Sequence, residues 1–184
     1  MPDQHEPSPT LGFEKPSKRT LFKHWVDADD DGCPTRAEVL ISEATRAPQV
    51  GAKCRLSGGE WQSYYDGATW TQVGDVDIDH MVPLAEAWDS GASAWNPARR
   101  EAYANDLGDT RSLVAVTDNA NQAKADQDPA EWLPSLEAVH CRYVAEWTAV
   151  KLRWQLTADT AEKNALTRLA ANCPDTAITV KKAT

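Results

Sequence analysis

The 184-residue sequence predicts an α+β fold stapled by disulfides, on three observations. Two short β-rich runs, Val73 to Asp79 and Ser112 to Thr117, lie far enough apart to be strands with helical chain between them. From Leu136 to Trp154, apolar residues step by three or four and mark one face of a long helix. Four cysteines without any CxxC spacing favour disulfides over a zinc site.

The elements follow in order. Residues 1–19 are rich in Pro, Ser and charge and read as a flexible N-terminal tail; residues 20–184 read as a single domain. An acidic loop and helix at 27–45 come first, with Thr35 and Glu38 at the spacing of a capping box. Short strands separated by glycine turns are expected between Gly51 and Asp79. Pro83 suits the first turn of a helix that continues through LAEAW. Another helix is expected from Asn96 and Pro97 to about Leu107, with Gly108 as its C-terminal cap. The run ending at Thr117 is expected to pair with the strand entering Asp79, and DNANQAKADQD reads as a polar loop or helix start. A further helix is expected to begin at Asp128, with Pro129 and Glu131 in its first turn. The last helix is capped by Asp159 and Glu162 and ends near Cys173. Four cysteines allow three connectivities; the expectation is Cys33 with Cys54 and Cys141 with Cys173, the second bond joining the last two helices.

Composition excludes some functions. A net charge of −9 argues against holding nucleic acid by bulk electrostatics, which needs Lys and Arg, although an enzyme gripping a polyanion through a cation escapes that objection. Eight tryptophans against two phenylalanines indicate a globular core with aromatic anchors. No run approaches the roughly 20 apolar residues of a membrane span, so no membrane partner is expected. Disulfides imply an oxidising compartment, so a secreted protein is expected, with its leader absent from this chain.

The chemistry concentrates in VDIDHMVPLAEAW, Val76 to Trp88. Asp79 and His80 sit where a strand should turn into a helix, and there both side chains can address one cleft. A carboxylate can hold a hard divalent cation while a neutral imidazole takes a proton from water. After the second strand, NANQAK supplies Asn121 as a further oxygen donor and Lys124 as a cation.

Asp79-His80-Met81-Val82-Pro83 resembles the Asp-His-x-x-Pro motif of one branch of the HNH, or ββα-metal, endonucleases, found in secreted bacterial nucleases and some restriction enzymes. That family's second element, Asn-Arg-x-Lys-x-Asp, is similar to Asn121-Gln122-Ala123-Lys124-Ala125-Asp126 but has Arg where this chain has Gln122. The likeness extends from about Trp25 to Cys173 and implies a ββα-metal (His-Me finger) core with additional helices. It implies that Asp79 and Asn121 bind one Mg²⁺ or Mn²⁺, that His80 is the general base and that Lys124 neutralises a phosphate oxygen, leaving a 5′ phosphate. Ser112 falls near the position that orients the base. The implied substrate is DNA ahead of RNA, with little sequence preference because no separate base-reading module is evident.

Rival readings exist for each signal. An isolated Asp-His pair is commonly a surface ion pair, Asn121 alone a turn residue and Lys124 a solvated lysine. Arg99 and Arg100 read as a charged helix surface, and His140 beside a disulfide-bonded Cys141 carries no thiolate. Asp27-x-Asp29-x-Asp31-Gly32 with Glu38 at the twelfth position matches an EF-hand calcium loop, although Pro34 stands where an aliphatic residue is usual. A structural Ca²⁺ there would be distinct from the catalytic cation. The alternative function is a non-enzymatic extracellular calcium-binding or adhesion module on a degenerate HNH scaffold. A third reading is a nuclease subunit or toxin domain targeted by a partner.

Overall fold

Residues 18–175 and 177–184 are described by the computed structural model, so most of the tail expected over residues 1–19 lies outside the described residues. The chain after the acidic loop forms α1 (Thr35–Ser42), β1 (Gln49–Val50), β2 (Leu56–Ser57), β3 (Trp61–Gln62), β4 (Thr69–Trp70) and β5 (Val76–His80). It continues through α2 (Leu84–Asp89), α3 (Pro97–Ala104), β6 (Leu113–Thr117), α4 (Asp118–Lys124), α5 (His140–Trp154) and α6 (Thr160–Ala170). The fold is α+β, with two disulfides, Cys33–Cys54 and Cys141–Cys173, paired as the sequence suggested. The closed loops span 21 and 32 residues, for which chain entropy gives about 3–4 kcal/mol of stabilisation each.

The centre is the antiparallel pair β5–β6, registered Val76↔Thr117, Ile78↔Ala115 and His80↔Leu113 on alternate positions. Alternation separates two apolar clusters. Val76, Ile78, Leu113 and Ala115 pack with Val39 and Leu40 of α1 and with Trp61. Val114 and Val116, on the opposite face, join the aromatic cluster of Tyr65, Tyr103, Tyr143, Trp147 and Trp154. Short hairpins β1–β2 and β3–β4 are separate two-stranded pieces.

Several boundaries depart from expectation for local reasons. Lys18 and Arg19 belong to a 3₁₀ turn, Lys18–Leu21, followed by Phe22, whose ring is buried against Trp88 and Tyr103. The capping box does not form: the Thr35 hydroxyl donates to the Val26 carbonyl and to Asn105 Oδ1 instead. Val73–Asp75 is a 3₁₀ turn, and the strand starts at Val76. Pro83 stands just before α2, with extended ψ. Asn96 caps α3 as expected, accepting from the Arg99 N–H at 2.8 Å. That helix stops at Ala104, and Gly108 does not cap it, because Asn105 turns its side chain back to the Lys23 and Glu101 carbonyls. At Asp128 there is a turn and no helix; its Oδ1 accepts the Ala130 N–H two residues on. Leu136 is exposed ahead of α5, whereas Tyr143, Trp147, Val150 and Trp154 are buried as the periodicity required. The Asp159 cap of α6 is present, at 2.8 Å from the Glu162 N–H.

Polar groups tie the layers together. Lys151 of α5 donates to Glu86 at 2.7 Å and to Glu162 at 2.9 Å, joining α2, α5 and α6. At the far edge of β6, Glu43 Oε2 accepts the Ala115 N–H at 2.7 Å, satisfying a ladder donor that no strand reaches. Burial pushes the Glu43 carboxyl up to about 7, with the Ala115 N–H opposing and the Glu146 charge adding.

The folded state therefore holds the Glu43 proton more tightly than the unfolded chain, whose ordinary value is 4.5. Its stabilising contribution is full below pH 4.5 and is lost as pH rises toward 7. Glu43→Gln, which cannot ionise, is expected to flatten the pH dependence of Tm across that interval and to melt higher than the parent at pH 8. Thermal melts from pH 4 to pH 8 check this; a parallel pair of curves would contradict it.

Candidate functional site

Strand alternation puts Asp77 and Asp79 on the same face of β5, and that face receives α4. Because α4 follows Thr117 directly, Asn121 and Lys124, three residues apart, share one side of the helix. Asn121 Nδ2 donates to Asp77 Oδ2 at 2.9 Å, and Lys124 Nζ donates to Asp79 Oδ2 at 2.6 Å. One helical step of three residues advances about 4.5 Å and two strand residues about 6.7 Å; the long lysine stem spans the difference.

Asp79 is 4% exposed and Lys124 0% exposed. Burial raises the Asp79 carboxyl and lowers the Lys124 ammonium from their usual ranges, while each partner opposes the other's shift. The Lys124 Nζ also donates to the His80 and Met81 carbonyls at 2.9 and 3.0 Å, so three acceptors surround it. The Tyr65 hydroxyl, its phenol held protonated by burial, donates to the same Asp79 oxygen at 2.5 Å. Both contacts fall on Oδ2, which leaves Oδ1 to the cleft.

His80 is 8% exposed at the end of β5. Its Nε2 lies 2.9 Å from the Ala104 carbonyl, which can only accept, so Nε2 carries the proton and Nδ1 the lone pair. The Trp25 ring lies 5.3 Å away, tilted by 33°, and the His24 ring approaches edge-on. Trp25 holds a left-handed backbone, φ 60°, an uncommon state for a bulky side chain and one that surrounding structure must enforce. Burial lowers the His80 pKa to about 4, with the Ala104 bond opposing and the His24, Lys124 and Arg19 charges assisting. The imidazole is neutral at physiological pH.

Asp79, His80 and Asn121 line one cleft of about 360 Å³. Lys124 does not reach its surface. The expected phosphate role requires an accessible ammonium, and this one is sealed beneath the floor; what the geometry supports is a positioning role. Ser112 does not orient the histidine either: its hydroxyl donates to Asp106 Oδ2 at 2.7 Å, and the Ala104 carbonyl does that work. Burial alone would raise the Asp106 carboxyl, but hydrogen bonds from Arg153, Ser112 and Trp154 hold it below the usual range.

Sequence reasoning missed Asp77, Tyr65, Trp25, Arg19 and the Ala104 carbonyl. Asp77 had a legible signal, since VDIDH alternates two acids onto one face. The others come from loops, a helix terminus and a distant hairpin, with no periodicity to mark them.

Beyond the cleft, Asp27, Asp29 and Asp31 each bring a carboxylate oxygen within 4.8 Å of the others. The loop closes through Gly32 N–H to Asp27 Oδ2 at 3.0 Å and Cys33 N–H to Asp31 Oδ1 at 2.7 Å. Asp27 Oδ1 is buried without a hydrogen-bond partner. Glu38 faces the same cluster: partial burial raises its carboxyl, and the charges of Asp29, Asp31 and Asp27 raise it further.

A carboxylate pair on a strand, an imidazole and an amide from the next helix define a nuclease-like domain once similarity is added. The family model for the C-terminal domain of GmrSD restriction endonucleases matches residues 35–169, and the chain belongs to that family. The match includes β5, β6 and α4 and begins after the acidic loop. An uncharacterized secreted protein of Arthroderma benhamiae is 46% identical over 155 residues, covering 84% of this chain and 74% of the relative. No solved structure matches. Among the described residues, no helix is long and apolar enough to cross a membrane.

Removing one partner of a buried ion pair leaves the other uncompensated. Lys124→Met is expected to destabilise the fold by about 3–5 kcal/mol in urea denaturation, and adding Asp79→Asn should recover part of that loss. An exposed phosphate-binding lysine would instead leave the urea midpoint unchanged.

Proposed function

We propose that the protein is a divalent-cation-dependent endonuclease that hydrolyses phosphodiester bonds, acting on DNA in preference to RNA, on a ββα-metal core made of β5, β6 and α4. The observation that carries this reading is the convergence of Asp79, His80 and Asn121 on one cleft, with His80 held by the Ala104 carbonyl. Membership of a restriction-endonuclease domain family supports it. Two disulfides and the name of the fungal relative support action outside the cell.

The donor set fits a hard cation. Asp79 Oδ1 and the Asn121 amide oxygen are oxygen ligands, Asp77 stands beside them, and no sulfur donor lines the cleft. Mg²⁺ or Mn²⁺ held there would supply charge stabilisation to the phosphate. The protein's own part is to aim and to accept. The Ala104 carbonyl fixes the His80 tautomer, so Nδ1 takes a proton from the attacking water. Trp25 limits the ring's rotation from the side. Tyr65 and Lys124 hold the Asp79 carboxylate in one orientation, so its free oxygen is preorganised.

His80→Ala is expected to reduce plasmid nicking in Mg²⁺ or Mn²⁺ by about 10²–10⁴-fold, with the far-UV dichroism retained. EDTA should stop the parent. Undiminished nicking by the variant would remove His80 from the mechanism.

A second reading attaches to the acidic loop, favoured by the three converging carboxylates and the buried, unpartnered Asp27 Oδ1. Its chemistry suits a structural Ca²⁺ held by Asp27, Asp29, Asp31 and Glu38. On that reading Ca²⁺ raises the Tm of the parent and not of Asp29→Asn. If Ca²⁺ stabilises the protein while plasmid stays intact in Mg²⁺ and Mn²⁺, the non-enzymatic calcium-binding module replaces the nuclease.

A further inference from the structure

A cleft that takes a phosphodiester must offset charge on the phosphate's non-bridging oxygens, and here its walls make that harder. Asp77, Asp79 and Asp126 line it, in a protein of net charge −9. Lys124, the cation nearest in sequence, is consumed beneath the floor. Gln122, also in the cleft, is neutral and donates to Asp118 Oδ1. Among the lining residues, only Arg19 carries a guanidinium or ammonium group.

Arg19 is held there by more than chance. It sits in the 3₁₀ turn Lys18–Leu21, whose Arg19 carbonyl accepts the Phe22 N–H at 3.1 Å, and the Phe22 ring is buried in the core. Lys18 pairs with Asp89 of α2, and Arg100 of α3 donates to the Leu21 carbonyl at 3.2 Å. Past Phe22, Asn105 takes both the Lys23 carbonyl and the Val26 N–H. The segment from Lys18 to Val26 is thus strapped along the cleft and presents Arg19, His24 and Trp25 to it. The Arg19 side chain is exposed and makes no ion pair among the described residues, while its charge is felt at His80.

We infer that Arg19 is the phosphate-binding residue of this cleft, gripping the backbone of a nucleic-acid substrate from the wall supplied by the N-terminal strap. The inference rests on the nuclease reading and adds the residue that recognises the substrate's charge. A guanidinium suits the task because its fork can meet two phosphate oxygens at once, which a lysine cannot reproduce. The strap precedes residue 35, so the nuclease-family match does not include the residue that completes the site.

The test is steady-state cleavage of a short fluorescent DNA duplex in Mn²⁺ by the full chain, comparing the parent with Arg19→Gln and Arg19→Lys over a series of salt concentrations. Arg19→Gln should raise KM about tenfold and leave kcat within about twofold. The slope of log(kcat/KM) against log[salt] should fall in magnitude by about one, the signature of one lost phosphate contact. Arg19→Lys should keep the salt slope and recover part of the KM. An Arg19→Gln protein with the parental KM and salt slope overturns the assignment and leaves the nuclease reading standing. A change in kcat alone, with KM and slope unmoved, also overturns it. If the parent itself leaves the duplex intact in both Mn²⁺ and Mg²⁺, the nuclease reading falls and this inference falls with it.

Discussion

The site depends on one buried ammonium. Lys124 closes three hydrogen bonds at once, to the Asp79 carboxylate and to the carbonyls of His80 and Met81, and so clamps the end of β5 to the end of α4. At the same point β5 leaves the sheet, where its carbonyls would otherwise lack partners. A neutral side chain could fill the volume, but it could not satisfy two carbonyls and a carboxylate together. The Trp147 face beneath, 5.8 Å from Nζ, adds a second electrostatic support. Such a pair is costly to desolvate and is more readily explained by what it positions than by net stability. It sets the orientation of Asp79 and, through the backbone, the departure angle of His80.

Holding the acid this way divides the two residues of the motif between different environments. Asp79 shares the aromatic side of the hairpin with Tyr65 and Tyr143, whereas His80 belongs by alternation to the opposite side, where Trp25 covers it. Both still line one cleft because the strand ends there. The carboxylate is thereby surrounded by donors, and the imidazole is surrounded by aromatic rings and a carbonyl and stays neutral. On the proposed function, the cation ligand and the proton acceptor are thus neighbours in sequence that occupy different environments.

Much of this was legible in the sequence. Alternation in VDIDH and VAVT identified the hairpin, residue steps of three and four identified α5, and Asn96 and Asp159 marked helix starts, because each rests on contacts within a few residues. The disulfide pairs were legible too. Where the reading failed, a distant group had won. Thr35 has the spacing of a cap, but Val26 and Asn105 take its hydroxyl. Asp128 has the composition of a helix start, but its carboxylate closes a local turn. Lys124 looks like any solvated lysine until α4 is docked on β5, and burial is a property of that docking. The Ala104 carbonyl could not have been found at all, since a backbone acceptor has no residue type.

On the proposed function, the strap is what lets an acidic chain present a cleft to a polyanion. Long-range repulsion from a net charge of −9 acts on approach and is screened beyond about 10 Å at 0.1 M salt, whereas a guanidinium at the cleft wall acts at contact distance. Eight residues beyond Arg19 the chain enters the acidic loop, and Cys33 ties that loop to Cys54. Trp25 and Asp27 are two residues apart, so the ring that flanks His80 and the carboxylate that opens the loop share one short stretch of backbone. Trp25, with its left-handed φ of 60°, is the last residue of the strap to line the cleft before the chain reaches that loop.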